Sequence, residues 1–303
     1  MKWIKIDRTK IKVYGKKGKV LPKGFLEEHI SFLQSTLTND IASLKSGEFN
    51  YNLWLTGNGQ PKEEFYVYRD DNFFILDTCA DAKKIIDEFT KIKLSLQVFF
   101  EDLTLEYAHI YIFGEDSEKF LKNIFENIPE KFKFFKKDNI YIAQNPLRIG
   151  ETGFDIFGKI EKIRDLFPKN QKIEEEEFED IRIKNCVPKI HKELKEGFHP
   201  LEANIGQYAF SFTKGCYIGQ EAIARVHFRG RTPRTLTKFV LQGDIKEDDQ
   251  IFEGEKKVGV ITSVSPKSEV GLGYILRTKL KEDTQFLTQK GKVKPQKECV
   301  LKL

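Results

Sequence analysis

Lys214-Gly215-Cys216-Tyr217-Ile218-Gly219-Gln220-Glu221 sets one cysteine between two glycines, with a lysine two residues before it and Gln-Glu four and five residues after it. Glycine adopts positive φ without steric cost and lets backbone approach backbone, so Gly215 and Gly219 mark a tight turn or a close contact. Gln220 to Arg225 reads as a short helix. Cys216 then stands just ahead of a helix N-terminus and near the Lys214 ammonium, and both features favour thiolate over thiol. A lone cysteine in a Gly-bounded turn is more often a buried structural residue. Here the polar and charged neighbours argue for an exposed or cleft position.

Directly downstream, Arg225, His227, Arg229, Arg231 and Arg234 crowd ten residues. Such a run is either a solvated basic face or a site for an anionic tail or phosphate. The whole chain is only mildly basic, at +5 over 303 residues, and that charge alone does not imply nucleic acid. RNP-type aromatics are missing, so a direct nucleic-acid partner is not expected. Hydrophobic residues at 40%, with 26 phenylalanines and a single methionine, describe a globular chain with a Phe-, Ile- and Leu-built core, long enough for two or three domains.

Cys79, Cys186, Cys216 and Cys299 form no C-x-x-C pair, which argues against a zinc ribbon, a self-held iron–sulfur cluster or a disulfide scaffold. A reducing, cytoplasmic location is expected. The start of the chain lacks an apolar h-region, and no stretch has the ~18 apolar residues that span a membrane. The five histidines make no H-x-x-x-H or H-E pattern, so no metal is expected. P-loop, Rossmann and G-x-S-x-G signatures are likewise lacking.

Around the motif, periodicity predicts a helix over 25–35, and Asp40 reads as the N-cap of a second short helix over 41–45. Alternation predicts strands through 49–79 with a turn at 57–60. A helix over 80–91, two strands, a helix over 117–128, a hairpin over 132–143 and an extended segment over 146–157 follow. The acidic block Glu174–Glu177 reads as the solvated face of an amphipathic helix ending before Pro188. After Thr235 helix signals vanish and short strands recur, which predicts a small β-barrel. The fold class is α+β, with ferredoxin-like layers and a C-terminal antiparallel barrel.

Lys-Gly-Cys-Tyr-x-Gly-Gln-Glu, followed by Ala224-Arg225 and Phe228-Arg229-Gly230, closely resembles the signature of the YgfZ family, folate-binding proteins of iron–sulfur cluster maintenance. That family is related in fold to the glycine-cleavage T-protein, an aminomethyltransferase. Phe32-Leu-Gln34 with Thr38-Asn39-Asp40 also resembles the superfamily's opening segment, and the 258–263 and 271–275 stretches look like its C-terminal barrel. The resemblance implies a T-protein-like arrangement of three domains. Residues 1–48 would begin a folate-binding domain, 49–144 would be an inserted ferredoxin-like domain, 145–235 would complete the first, and 236–303 would be the barrel.

It further implies tetrahydrofolate as cofactor and iron–sulfur enzymes or cluster-assembly proteins as partners, with an effect on tRNA modification conceivable through them. Cys216 and Lys214 would carry the chemistry. Asn39, Asp40, Glu64, Tyr217, Gln220 and Arg225 would contribute to the folate cleft. Glu202 would hold the pterin, whose adjacent N–H and amine suit one carboxylate. The superfamily's Asp-Asp pair near the folate N5 and N10 corresponds here to Glu63-Glu64, one methylene longer, which speaks against aminomethyl transfer. The alternative is a true aminomethyltransferase with lipoyl protein as partner. Where relatives read Arg-Ile-x-x-Gly-x-Pro, this chain has Cys186 in place of the glycine, a packing substitution.

Overall fold

The computed structural model describes residues 1–16, 26–163, 166–281 and 284–301. Phe25, expected to open the first helix, lies outside them. Two five-stranded antiparallel sheets and a closed six-stranded barrel make up the strand structure. Strands β1 (Lys2–Lys5), β2 (Thr9–Gly15), β3 (Glu48–Leu55), β4 (Pro61–Arg69), β5 (Phe73–Thr78) and β6 (Val98–Asp102) open the chain. They are followed by β7 (Tyr107–Phe113), β8 (Phe134–Lys137), β9 (Ile140–Gln144) and β10 (Gly153–Lys159). The helices before the barrel are α1 (Glu28–Thr36), α2 (Ala82–Ile92), α3 (Ser117–Phe125), α4 (Ile160–Ile163), α5 (Glu175–Lys184), α6 (Gly206–Ala209) and α7 (Gln220–Arg229).

One sheet runs β3-β4-β5-β2-β6, the other β1-β7-β10-β9-β8. Each is a ferredoxin-like layer with an added strand at one edge. The first takes its strands and helices in chain order from β2 to β6. The second begins at β7 and borrows its opposite edge, β1, from the start of the chain. The boundaries expected at 48/49 and 144/145 therefore do not coincide with a change of sheet: residues 9–15 pair with 73–78 and 98–102, and residues 2–5 with 110–113. The first two strands, only a few residues apart, enter different sheets.

Period-two alternation explains the layering. On β4, Phe65 and Val67 turn to a core shared with α1 and α2, through Phe32, Leu33, Ile85 and Phe89. Tyr66 and Tyr68 turn the other way, into a core that also holds Tyr141 and Phe157 of the second sheet. The second sheet's outer face packs Ile112, Ile142, Phe154 and Ile156 against Leu121 and Phe125 of α3. The two sheets thus face each other across an aromatic seam, with the Tyr68 ring of the first edge-on to Phe157 of the second at 5.0 Å.

Asp40 does not open a helix. Residues 41–45 form a turn, in which Asp40 Oδ1 accepts from Ser43 N–H at 3.3 Å and Gln34 Nε2 at 2.9 Å. Asp side chains readily satisfy a turn in this way. The acidic block does begin α5, where its carboxylates complement the helix dipole.

The barrel runs β11 (Arg234–Gly243), β14 (Val270–Leu276), β13 (Lys256–Val264), β12 (Gln250–Glu253), β15 (Phe286–Leu287), β16 (Gly291–Glu298) and closes. Buried Glu193 fastens it to α5: it accepts from Thr262 and Ser263 of β13 and from Arg182 of α5. A buried carboxylate is tolerable only with such partners.

Candidate functional site

A cavity of about 610 Å³ opens where β1 leads into β2, beside β4, the 146–148 turn and α5. Ile4, Ile6, Tyr66, Leu147, Phe178 and Val187 supply apolar walls, and Arg8, Arg148, Arg182 and Lys189 supply cations. The volume and the mixed lining are those of a small-molecule site. Arg148 sits over the Tyr66 ring at 4.0 Å from its centroid. Exposed Glu174 and Glu175, from the acidic block, border the mouth beside Lys172.

Behind this wall lies a buried ionic network between the two sheets. Alternation aims Lys10 of β2, Asp77 of β5, His109 of β7 and Asp155 of β10 into the seam. Arg8 Nε donates to Asp77 Oδ1 at 2.7 Å, and Arg8 Nη1 to Glu64 Oε1 at 2.8 Å. Arg148 bridges Asp77 and Asp155. Lys10 Nζ lies 2.9 Å from His109 Nδ1 and 3.3 Å from Asp77. His109 Nε2 meets Asp155 Oδ1 at 2.9 Å, while Tyr68 and Asn145 donate to Asp155 Oδ2.

Burial pushes both aspartates up, but Arg148 and its fellow cations outweigh it and hold both below the usual carboxylate range. Burial pulls Lys10 down to about 8 despite Asp77. Burial, then Lys10, hold His109 down to about 4, so the ring is neutral. Lys10 donates to its Nδ1, which leaves the proton on Nε2, donated to Asp155. Three cations (Arg8, Lys10, Arg148) then balance three carboxylates (Glu64, Asp77, Asp155).

The motif lies apart from this wall. Cys216 is exposed. Gly219 stands at φ +82°, ahead of α7, where a Cβ would come within 2.5 Å of Thr56 O in the β3–β4 connection. Gly59 of that connection, at φ +76°, would in turn strike Ala222 of α7. Glycine is thus required at both faces of one contact, whereas Gly215 has open space around it.

Lys214 turns to the backbone. Its three donors go to the carbonyls of Gln34, Leu37 and Asn39, the end of α1 and the turn beyond. The motif lysine thus satisfies carbonyls that the helix end leaves open. Burial pulls its amine down to about 7, opposed by Asp40. Tyr217 packs beneath, its ring centroid 4.9 Å from the Lys214 nitrogen. Its buried hydroxyl has no hydrogen-bond partner among the described residues, and burial pushes it up to about 12.

Of the residues expected to form the folate cleft, Glu64 alone lines the cavity, with both carboxylate oxygens engaged, by Arg8 and by the Tyr51 hydroxyl at 3.0 Å. Glu202 is 1% exposed and is already held in a fork: Arg234 Nε and Nη2 donate to its two oxygens at 3.0 and 2.9 Å. The His199 N–H donates as well. An arginine therefore fills the geometry expected for a pterin, and Arg234 is a structural partner within the basic run. Asn39 spends its amide on Tyr51 O and Tyr208 O. Gln220 begins α7, its N–H bonded to Tyr217 O at 3.2 Å. Arg225 is paired with Glu221 on the exposed side of α7. The side chain of Arg229 lies outside the described residues.

Sequence reading missed Arg8, Tyr66, Cys79 and Arg148, which come from separate segments with no shared local pattern. Arg182 had a signal, since it opens the Arg-Ile-x-x segment noted above. Cys186 of that segment is buried with φ +64°, a glycine-favouring conformation. This fits its reading as a packing residue in a glycine's place.

A family model described as the GCVT N-terminal domain matches residues 27–211. A protein of Aquifex aeolicus (strain VF5), named only "Uncharacterized protein", is 55% identical over 127 residues, 41% of this chain and 85% of that one. The aminomethyltransferase of Lysinibacillus sphaericus (strain C3-41) is 24% identical over 293 residues, 89% of this chain and 77% of the relative. That of Thermoanaerobacter sp. (strain X514) is 26% identical over 281 residues, 85% and 76% of the two chains. The crystal structure of glycine cleavage system aminomethyltransferase T from Bartonella henselae shares the fold, with a TM-score of 0.81 at 18% identity over 98% of this chain and 85% of that one. No helix among the described residues is long and apolar enough to cross a membrane. The match over residues 27–211, with this shared fold across both sheets and the barrel, places the chain in the GCVT N-terminal domain family, within the aminomethyltransferase T-protein superfamily.

Proposed function

We propose that this protein is a folate-binding factor that serves the maturation or repair of iron–sulfur enzymes and not a glycine-cleavage aminomethyltransferase. The observation that carries the reading is an exposed thiol on a fixed turn. Cys216 lies between Lys214, bound to three carbonyls, and Gly219, wedged against the β3–β4 connection. A thiol held in this way on the surface is available to a partner protein. The resemblance of the surrounding octet to the YgfZ signature supplies the client class.

The cavity's chemistry fits a reduced folate. The apolar walls suit a flat ring system, and Lys172 and Lys189 near the mouth, paired here with Glu174 and Glu179, suit a tail of carboxylates that would exchange with those partners. Bound there, tetrahydrofolate would supply one-carbon or redox chemistry. The chain's own residues would bind and orient it: Arg8 and Arg148 hold the wall rigid through their ion pairs, and the apolar residues exclude water.

The curated aminomethyltransferases that match most of the chain favour a second reading, aminomethyl transfer. The acidic pair argues against it. Glu64 is bound to Arg8 and Tyr51, and Glu63 lies 3.1 Å from His191 Nε2. Neither carboxylate stands ready to move a proton on a folate nitrogen.

Iron–sulfur enzyme activity in cells lacking the protein tests the proposal. It should be restored by the wild-type chain and not by Cys216→Ala at equal abundance. A glycine-cleavage assay with lipoyl protein should show no aminomethyl transfer. Full restoration by Cys216→Ala, or transfer at the rate of an authentic T-protein, would refute it.

A further inference from the structure

Glu63 of β4, Cys79 just past β5 and His191 in the loop after α5 bring one carboxylate oxygen, one thiol sulfur and one imidazole nitrogen within 4.8 Å of one another. From this geometry we propose that the three residues form a binding site for a divalent transition ion of the zinc class, with one coordination position open toward the cavity that Cys79 also lines.

The donor set is the first reason. Thiolate, imidazole and carboxylate together suit Zn²⁺, and three protein ligands leave a fourth, tetrahedral position for solvent or substrate. The spacing is the second. Zinc–ligand bonds of about 2.0–2.3 Å put the edges of the ligand tetrahedron at roughly 3.3–3.6 Å. The Glu63 Oε2 to His191 Nε2 edge is already 3.1 Å. The sulfur must close by at most about 1.5 Å, within reach of rotation about a single side-chain bond.

Preorganisation is the third reason. His191 is held at φ +65°, and its backbone N–H is tied to Leu194 O at 3.0 Å, so the ring is presented from a tight loop. Glu63 is buried, and Cys79 and His191 are exposed, so the site has a rigid base and an entry path.

The charges also balance. Carboxylate and thiolate offset the two charges of the ion. Lys84 is the cation whose field reaches Glu63, and Arg8 the one that reaches Cys79. Arg8 is neutralised by Asp77 and Glu64. Binding forms sulfur–metal, nitrogen–metal and oxygen–metal bonds. The Cys79 thiol proton leaves to solvent, and the His191 ring keeps one proton by moving it from Nε2 to Nδ1.

The second grouping of this kind, Asp77, His109 and Asp155, does not qualify. Arg8, Lys10 and Arg148 already occupy its carboxylates, and they would repel a further cation.

Cobalt(II) titration of the chelator-treated full chain tests the site, read by bound metal per chain and by the near-ultraviolet thiolate-to-cobalt band. The proposal expects one ion per chain with that band. Cys79→Ser should abolish the band, His191→Ala should weaken binding about tenfold or more, and Cys216→Ser should change neither. Should Cys79→Ser fold poorly, the wild-type chain gives the same answer: zinc should protect Cys79 from alkylation and leave Cys216 reactive. No band at saturation, a band that survives Cys79→Ser or disappears with Cys216→Ser, or equal alkylation of both thiols with and without zinc would overturn the site.

Discussion

Arg148→Met is the sharpest perturbation of the seam between the two sheets. Methionine keeps the length and the apolar stem of the side chain but removes the bonds to Asp77 and Asp155. The balance of three cations against three carboxylates becomes two against three, around Asp77 and Asp155, which are fully buried and poorly screened by solvent. Leaving one buried charge uncompensated costs about 3–5 kcal/mol, and urea unfolding at pH 7 should show a loss of that order. The cost should shrink on acidification. In the wild type, Asp77 and Asp155 lie below their unfolded values, so their stabilisation is present above the ordinary aspartate pKa and lost as pH falls through the folded one. In the variant, one orphaned carboxylate should be raised, so that protonation stabilises the folded state and the gap to wild type narrows from pH 7 to pH 4. Adding Asp155→Asn restores two against two and should recover part of the loss at pH 7. A loss under about 1 kcal/mol, or a gap independent of pH, would refute the charge-balance reasoning.

Gly219→Ala should destabilise by about 1–3 kcal/mol, from positive φ and the close approach to Thr56 O, while Gly215→Ala should cost under about 0.5 kcal/mol; thermal melts compare them. Lys214→Met leaves three carbonyls at the end of α1 without their donor, and hydrogen exchange of residues 34–39 should rise, whereas unchanged exchange would remove the capping role. Glu202→Ala should lower stability by about 1–3 kcal/mol and leave folate affinity unchanged, because Arg234 already engages both carboxylate oxygens; a selective loss of affinity would show that Glu202 holds the pterin.

The fold was legible because its signals are local. Alternation along β4 and β5, the 3.6-residue period of α1 and α2, and the loss of helix signals after Thr235 each belong to a single segment. Strand partnership was not legible. β1 and β2 lie three residues apart and enter different sheets, a choice made by long-range pairing with β7 and β5. The motif showed that Gly219 is constrained and Cys216 exposed, since both follow from the residues around them. The partners of Lys214 and Glu202 did not follow: a lysine near a cysteine and a carboxylate in a loop look the same whether they face a ligand or the chain's own carbonyls and arginines. The cavity wall, assembled from Arg8, Tyr66, Arg148 and Arg182, left little local trace because its members share no segment.

Anaerobic calorimetric titration with tetrahydrofolate, on the wild type and on charge reversals at the cavity mouth, tests the central claim most directly. Saturable binding to one site is predicted, weakened at least about tenfold by the double variant Lys172→Glu/Lys189→Glu and unchanged by Lys256→Glu on the barrel. Absence of binding, or equal affinity in all three proteins, would contradict the placement of folate in this cavity.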